Sequence, residues 1–297
     1  MIIPPHLKEG DLIYITAPAK AIDKKAVMFS KNWLEKQGFS VLISQHCLGE
    51  HNYFSGTDVE RLQDFQFGIN HPEVKAIICA RGGYGCVRIL DSINWAGMLR
   101  EPKWIGGFSD VTVFHHRLQK LGIASLHSTM PLNFEKNTPQ ALETLKSALS
   151  GKSYKIDCSK SEGNKFGTAE GEIVGGNLSI IYSLLGTPDA YSFKDKILFL
   201  EDLSEQWYHI DRMFFALQKC GALDQIKGLI LGGFTDMKDT EKTFGLKLKE
   251  IVLQHFTFRK IPIVFDFPVG HFEDNRTIII GKKAVLKSKL DRVELTM

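Results

Sequence analysis

The first half of the chain alternates short apolar runs with segments of helical periodicity, and this alternation restricts the fold more than any other feature. The apolar runs have the length of buried strands and lie at residues 12–16, 41–44, 74–79 and 103–108. Apolar residues at helical spacing predict helices between and after them, at 24–37, 57–67 and 111–121. Strands that are apolar throughout and alternate with helices favour a parallel sheet covered on both faces. The sequence therefore predicts an α/β fold.

The second half predicts a smaller domain of mixed α/β structure. A predicted helix at 139–149 leads into polar segments rich in glycine and serine, which are typical of a linker. Strand patterns then resume at residues 171–174, 196–200, 228–233, 263–266 and 277–280. A further helix is predicted at 244–254, and residues 282–295 alternate like the arm of a hairpin. We predict an N-terminal domain, a linker and a C-terminal domain, at residues 1–135, 136–167 and 168–297.

Composition excludes several classes of protein. A chain of 297 residues is large for one core and comfortable for two domains. Its 43% hydrophobic and 24% charged residues are ordinary for a soluble globular protein. A net charge of +3 without a long run of lysine or arginine gives no case for nucleic-acid binding. We therefore expect neither a nucleic-acid partner nor a membrane partner.

Cysteine usage and the N-terminal residues favour a cytoplasmic protein. The five cysteines are odd in number and form no C-x-x-C pair, so neither a disulfide framework nor a zinc site is indicated. The sequence shows no secretory signal and no span of about 20 apolar residues. A reducing cytoplasm is the expected location.

Three groups with complementary chemistry each follow a predicted strand. They are Ser109, the acidic pair Glu201 and Asp202, and His271. Ligands of open α/β sheets bind beyond the carboxyl ends of the strands. A serine becomes a nucleophile when an imidazole takes its proton and a carboxylate orients that imidazole. These residue types therefore predict a nucleophilic site, with the choice between Glu201 and Asp202 left open.

Each of these residues also has a purely structural interpretation. Ser109 and Asp110 could cap the helix that follows them, and His271 could be a loop histidine. His127 follows a possible strand and is the main alternative base. The neighbouring histidines 115 and 116 lie inside a predicted helix, where a position on the helix face is the simpler interpretation.

A glycine-rich segment, Arg-Gly-Gly-Tyr-Gly at 81–85, follows the strand predicted at 74–79. Glycines let the main chain approach a ligand and present its N–H groups, as in a phosphate cradle or half of an oxyanion hole. A tight turn from strand to helix is the structural alternative, because the spacing matches no standard nucleotide motif. Arg81 could grip a carboxylate. A second glycine turn at 175–179 and the aromatic pair at 207–208 could line a pocket or serve packing.

Six segments, taken together and in order along the chain, resemble one known family. They lie at residues 7–13 with 17–18, 80–85, 106–112, 174–179, 200–202 with 211–213, and 268–271. This set is similar to the LD-carboxypeptidase family of serine peptidases, which includes the related microcin-immunity peptidases. The chain departs from the family at Ala19 and Lys20, where small hydroxyl residues are more usual.

The resemblance implies a role for each site residue. Ser109 would be the nucleophile, His271 the base and Glu201 the acid. The main-chain N–H groups of Asp110 and Gly83 would hold the oxyanion. From the chemistry of the residues themselves, we expect Arg81, Gly82, Tyr84 and Trp207 to contact substrate.

The resemblance also implies a fold and a substrate. Family members have a flavodoxin-like N-terminal domain and a swivelling β/α C-terminal domain, with the site in the cleft between them, and they are usually homodimers. No metal or other cofactor is required. The typical substrate is a cytoplasmic murein tetrapeptide, cut between the L-centre of a diamino acid and a terminal D-alanine during cell-wall recycling.

Two other functions remain open at this point. The first is a self-immunity peptidase that cleaves a peptidyl-adenylate antibiotic, for which Trp207 could form an adenine platform. The second is a non-enzymatic module that binds phosphate or a nucleotide through the glycine turns at 81–85 and 175–176.

Overall fold

The computed structural model describes every residue, Met1–Met297, and the chain divides into two compact units. The first unit comprises Met1–Ser153 and Glu273–Ile279. The second unit comprises Tyr154–Phe272 and Ile280–Met297. None of the helices is both long and apolar enough to cross a lipid bilayer.

The chain contains both helices and strands throughout its length. The strands are β1 (Leu12–Thr16), β2 (Ser40–Ile43), β3 (Val74–Cys79), β4 (Trp104–Gly107), β5 (Ser125–His127), β6 (Lys155–Ser159), β7 (Gly167–Asn177), β8 (Ile197–Leu203), β9 (Gly228–Thr235), β10 (Ile263–Val264), β11 (Ile278–Ile280), β12 (Lys283–Ser288) and β13 (Arg292–Thr296). The α-helices are α1 (Lys24–Lys36), α2 (Asp58–Asn70), α3 (Cys86–Leu90), α4 (Ala96–Arg100), α5 (Thr112–Lys120), α6 (Pro139–Ser150), α7 (Leu178–Leu184), α8 (Trp207–Lys219), α9 (Ala222–Gln225) and α10 (Leu248–Leu253).

The sheet of the first unit confirms the predicted parallel α/β fold. Its strand order is β11-β5-β4-β3-β1-β2, and the pairs from β2 through β5 are parallel. The order 2-1-3-4-5 is that of flavodoxin-like folds. Capping side chains begin the first two helices: Asp23 accepts from the N–H of Lys25, and Thr57 forms a capping box with Glu60. In this order the connections reverse direction between β1 and β3, so the loops after these strands flank the crevice where such folds bind ligands.

The second unit is built on a seven-stranded mixed sheet of order β10-β9-β8-β7-β12-β13-β6. Strands β7 to β10 pair in parallel, and the pairs β7–β12, β12–β13 and β13–β6 are antiparallel. The antiparallel pair β12–β13 confirms the predicted hairpin. A buried apolar cluster packs helices α7, α8 and α10 against the parallel half of the sheet, because those strands are apolar on the covered face.

Some sequence predictions differ from the structure. The stretch predicted as a linker contains α6, which belongs to the first unit, and β6, which belongs to the second. The strand predicted at 277–280 is β11, which joins the sheet of the first unit although we placed it in the C-terminal domain. Because β11 consists of three isoleucines, its sequence does not indicate which of the two sheets it joins. The helix predicted from 244 begins only at Leu248, because Gly245 adopts a φ of 84° and the N–H of Phe244 donates to Asp239.

Candidate active site

Ser109 lies on a sharp turn directly after β4. It begins a single 3₁₀ turn, Ser109–Val111, before α5, and its φ of 63° is in the left-handed region. Such a backbone costs a residue with a side chain roughly 1–2 kcal/mol, and strained residues of this kind cluster at active sites. Gly107 makes the turn possible with a φ of 153°, since a Cβ there would lie 2.9 Å from Val111 and 3.2 Å from Cys79. The predicted layout of strand, serine and helix is confirmed.

The glycine-rich loop after β3 packs against this serine. A Cβ on Gly82 would lie 3.0 Å from Ser109 Cβ, 3.1 Å from its Oγ and 3.2 Å from the main-chain nitrogen of Asp110. Gly83 has a φ of 113°. The glycine-rich loop therefore packs on Ser109 and the Asp110 amide so closely that Gly82 leaves little room for a side chain.

A buried arginine, Arg61 on α2, holds the glycine-rich loop in place. Only 1% of Arg61 is exposed. Its guanidinium donates to the carbonyl oxygens of Pro18, Gly85 (3.0 Å) and Gly56 (3.2 Å). Three main-chain carbonyls from separate loops thus converge on one cation, which satisfies groups that burial would otherwise penalise. Arg61 was not identified in the sequence analysis. The available signal was an arginine at a position that the helical pattern of α2 places on the buried face.

Asp110 fixes the other end of the same loop. Its Oδ2 accepts the N–H of Cys86 at 2.9 Å, where α3 begins. Burial raises the pKa of the Asp110 carboxyl. The glycine-rich loop is therefore tied to α2 through Arg61 and to the serine turn through Asp110.

In the second unit, Glu201 and His271 form a close pair. Oε2 of Glu201 lies 2.5 Å from Nδ1 of His271, and the glutamate is fully buried on β8. Burial opposes protonation of the imidazole, but the charge of Glu201, its hydrogen bond and the charge of Asp202 outweigh this and raise the pKa of His271. With Nδ1–H donated to the carboxylate, Nε2 is the nitrogen that can accept a proton.

Gly270 allows the histidine to come this close. Its φ is 120°, and a Cβ there would lie 2.9 Å from Glu201 Cβ and 3.1 Å from Oε2. A parallel bridge joins Gly270 to Gly233 on β9, and the hydroxyl of Thr235 donates to the carbonyl of His271 at 3.1 Å. The segment at Gly270 and His271 is thus held against the sheet by a main-chain bridge and by a side-chain hydrogen bond.

The neighbouring carboxylate, Asp202, has different partners. Its oxygens accept from Asn177 Nδ2 (3.0 Å) and from the main-chain N–H groups of Ser179 and Leu203, both at 2.9 Å. Burial, followed by the charge of Glu201, raises the pKa of Asp202 to about 7. The pairing of β8 with β9 shifts register between Leu200 and Asp202, at the position of Glu201. Of the two acids between which the sequence left the choice open, Glu201 is therefore the one that contacts His271.

The remaining histidines near Ser109 support the fold. His115 lies 2.9 Å from the carbonyl of Gly107 through Nε2 and 2.8 Å from the hydroxyl of Ser125 through Nδ1. Burial lowers its pKa to about 4, so it stays neutral. The ring of His127, the alternative base, is fully buried and packs edge-on against Phe108.

The residues expected to contact substrate lie in both units. In the first, Arg81 donates from Nη1 to the carbonyl of Ala21 at 2.9 Å, and the half-exposed Tyr84 packs near Phe54. In the second, Trp207 begins α8, with the ammonium of Lys247 5.0 Å from its ring centroid. The structure contains no group of three or more His, Cys, Asp or Glu side chains placed to hold a metal ion.

Comparison with known protein families identifies the family to which the chain belongs. The LD-carboxypeptidase N-terminal domain matches residues 13–128, and the LD-carboxypeptidase C-terminal domain matches residues 170–286. These two matches span most of the chain, so the protein belongs to the LD-carboxypeptidase family of serine peptidases.

Individual relatives agree with this assignment. The chain is 31% identical to a probable murein peptide carboxypeptidase of Bacillus subtilis, over 96% of this chain and 91% of that protein. The crystal structure of muramoyltetrapeptide carboxypeptidase from Oxalobacter formigenes superposes with a TM-score of 0.87 at 27% identity, covering 96% of this chain and 98% of that one. An MccF-like protein from Bacillus anthracis also superposes with a TM-score of 0.87, at 23% identity and 99% coverage of both chains. That last likeness bears on the fold alone.

Proposed function

We propose that this protein is a cytoplasmic serine carboxypeptidase that removes the terminal D-alanine from murein tetrapeptides during cell-wall recycling. The observation that carries the proposal is the pair formed by Glu201 and His271, in which a buried carboxylate orients an imidazole. The strained turn at Ser109 supplies the complementary nucleophile. The relatives named for murein peptides support the substrate class.

In the proposed reaction, Ser109 Oγ attacks the carbonyl carbon of the bond before D-alanine. His271 Nε2 takes the hydroxyl proton, and Glu201 stabilises the imidazolium that forms. Collapse of the tetrahedral intermediate breaks the C–N bond, and His271 returns the proton to the leaving amine. A water molecule then attacks the acyl-enzyme and loses a proton to His271. His271 passes this proton to the departing Ser109 oxygen as the C–O bond breaks and the tripeptide is released, which restores both residues.

The main chain stabilises the negative charge that develops in this reaction. We assign the oxyanion to the N–H groups of Asp110 and Gly83, whose loops meet at Ser109. Arg61 and the Asp110 carboxylate hold these loops before substrate arrives, so little reorganisation is needed during the reaction. We assign contacts with substrate to Gly82, Tyr84 and Trp207, whereas Arg81, which was also expected there, donates to the main-chain carbonyl of Ala21.

The test is a comparison of substrates. Purified protein is incubated with murein tetrapeptide, with the same peptide ending in L-alanine, and with a peptidyl-adenylate, and the products are identified by mass spectrometry. The proposal predicts release of D-alanine from the first peptide only. Cleavage of the peptidyl-adenylate alone would favour a self-immunity peptidase instead. Tight nucleotide binding in calorimetry, without any cleavage, would favour the non-enzymatic module.

A further inference from the structure

We propose that Lys20 binds the terminal carboxylate of the peptide substrate, in a subsite formed with Tyr53 and Gly83 beside Ser109. This inference rests on the proposed function and adds to it the residue that selects substrates with a free C-terminus.

The position of Lys20 in the fold supports this assignment. It lies in the loop after β1, and the glycine-rich loop lies after β3. These adjacent strands bound the point where the connections of the sheet reverse, which is the usual ligand crevice of such folds. Hydrogen bonds on both sides fix the main chain: Ser55 N donates to Ala19 O at 3.1 Å, and Ala21 N donates to Tyr53 O at 3.2 Å.

Contacts connect Lys20 to the serine through two glycines. A Cβ on Gly83 would lie 3.1 Å from Lys20 Cβ and 2.9 Å from the hydroxyl oxygen of Tyr53. The preceding residue, Gly82, packs on Ser109. In the substrate, the terminal carboxylate is separated from the reacting carbonyl by one nitrogen and one Cα. It must therefore lie within about one residue length, roughly 3.8 Å between Cα atoms, of the bond that is cut.

The charge of Lys20 is available for a ligand. Its ammonium lies 4.7 Å from the centroid of the half-exposed Tyr53 ring and makes no ion pair in the structure. By contrast, Lys25 in the next helix pairs with Glu135 at 3.0 Å. An ammonium on a flexible four-carbon stem can move from the ring to a carboxylate, and the Tyr53 hydroxyl offers a second donor.

Arg81, the other cation beside the glycine loop, has a structural partner already. Its Nη1 donates to the carbonyl of Ala21, the residue after Lys20. The side chain is half-buried, and burial lowers its pKa. Arg81 is therefore a positioning residue for the loop that carries Lys20, whereas Lys20 contacts the substrate.

The experiment compares two substrates that differ only in the terminal charge. One is the murein tetrapeptide, and the other is the same peptide with a C-terminal carboxamide. A hydrogen bond to a charged partner changes binding by about tenfold to a hundredfold. We expect Lys20→Met to lower kcat/KM for the acid by that factor and to leave the amide within about twofold, and Lys20→Arg to restore part of the preference.

Two control variants make the result specific. Lys24→Met removes the same charge from an exposed position four residues away and should change neither substrate. Arg81→Met should lower kcat/KM for both substrates alike, because it disturbs the loop.

Three outcomes would overturn the inference. They are an unchanged kcat/KM for the acid in Lys20→Met, an equal loss on acid and amide in that variant, and loss of the acid preference in Arg81→Met but not in Lys20→Met. If the wild-type protein releases no D-alanine from the acid, the proposed function itself fails and this inference fails with it. The wild-type assay is done first, so a failure of the proposed function is distinguished from a failure of this inference before any variant is made.

Discussion

Glu201 and His271 face each other across 2.5 Å, from a buried strand and from a loop held by the neighbouring strand. Neither side chain could keep this geometry alone. The glutamate needs a partner because it is fully buried, and the imidazole needs an acceptor at Nδ1 to leave Nε2 for proton transfer. The contact therefore satisfies a buried carboxylate and also orients the base of the proposed reaction.

Replacing Glu201 with glutamine should lower kcat by roughly 10³- to 10⁴-fold, because the variant neither fixes the imidazole tautomer nor stabilises the imidazolium. The measurement is D-alanine release under saturating tetrapeptide. Glu205→Gln is the matched control, since Glu205 makes a similar contact with His209 (2.8 Å) at the surface. It should retain the wild-type rate. Near-normal turnover in Glu201→Gln would count against the assignment.

The pH profile should show an acidic limb whose midpoint lies above 6.5, the ordinary pKa of histidine. The base must be neutral to accept a proton, so kcat/KM rises as pH increases through the pKa of His271. Burial lowers that pKa, but Glu201 and Asp202 together raise it above 6.5. NMR titration of labelled histidine should show the same shift and its loss in Glu201→Gln. A midpoint below 6.5 in the wild-type protein would contradict this electrostatic picture.

Gly82→Ala should lower kcat/KM by at least about a hundredfold, because its new methyl group would lie 3.0–3.2 Å from Ser109 and the Asp110 amide. The backbone of Gly82 has no positive φ, so the effect should fall on activity rather than on folding. Gly122→Ala adds a methyl group in open space at a φ of 73°, so it strains the backbone without contacting Ser109 and serves as the control for lost stability. Equal activity of the two variants would show that Gly82 does not border the reacting groups.

Arg61→Met should lower the free energy of unfolding by about 3 kcal/mol, because it leaves three buried carbonyl oxygens without their donor. Arg88→Met is a close control: both arginines bind Asp58, but Arg88 does so in solvent. It should unfold like the wild-type protein in urea. Similar urea midpoints for both variants would mean that Arg61 is not needed to hold the loops.

Local patterns predicted much of the first unit. The bounds of β1 and β3 agree with the structure, and the turn at Ser109 was predicted because apolar runs, glycines and helical spacing are local signals. Short helices such as α3 and α4 were missed, since five residues are too few to show a period.

Features that depend on distant parts of the chain could not be predicted from the residues alone. Glu201 and Asp202 are adjacent carboxylates on β8, and only the approach of the distant segment at Gly270 shows which of them meets His271. Likewise, nothing near Arg61 in sequence indicates that carbonyls at 18 and 85 will converge on it. The family resemblance named Glu201, and its contact with His271 agrees with that choice.

The most direct test concerns the hydroxyl of Ser109. D-alanine release from murein tetrapeptide is measured for the wild-type protein and for Ser109→Ala, with thermal unfolding of both to confirm that the variant folds. The proposed mechanism predicts a rate at least about a thousandfold lower in the variant, at an unchanged fold. A folded Ser109→Ala protein that releases D-alanine at close to the wild-type rate would contradict it.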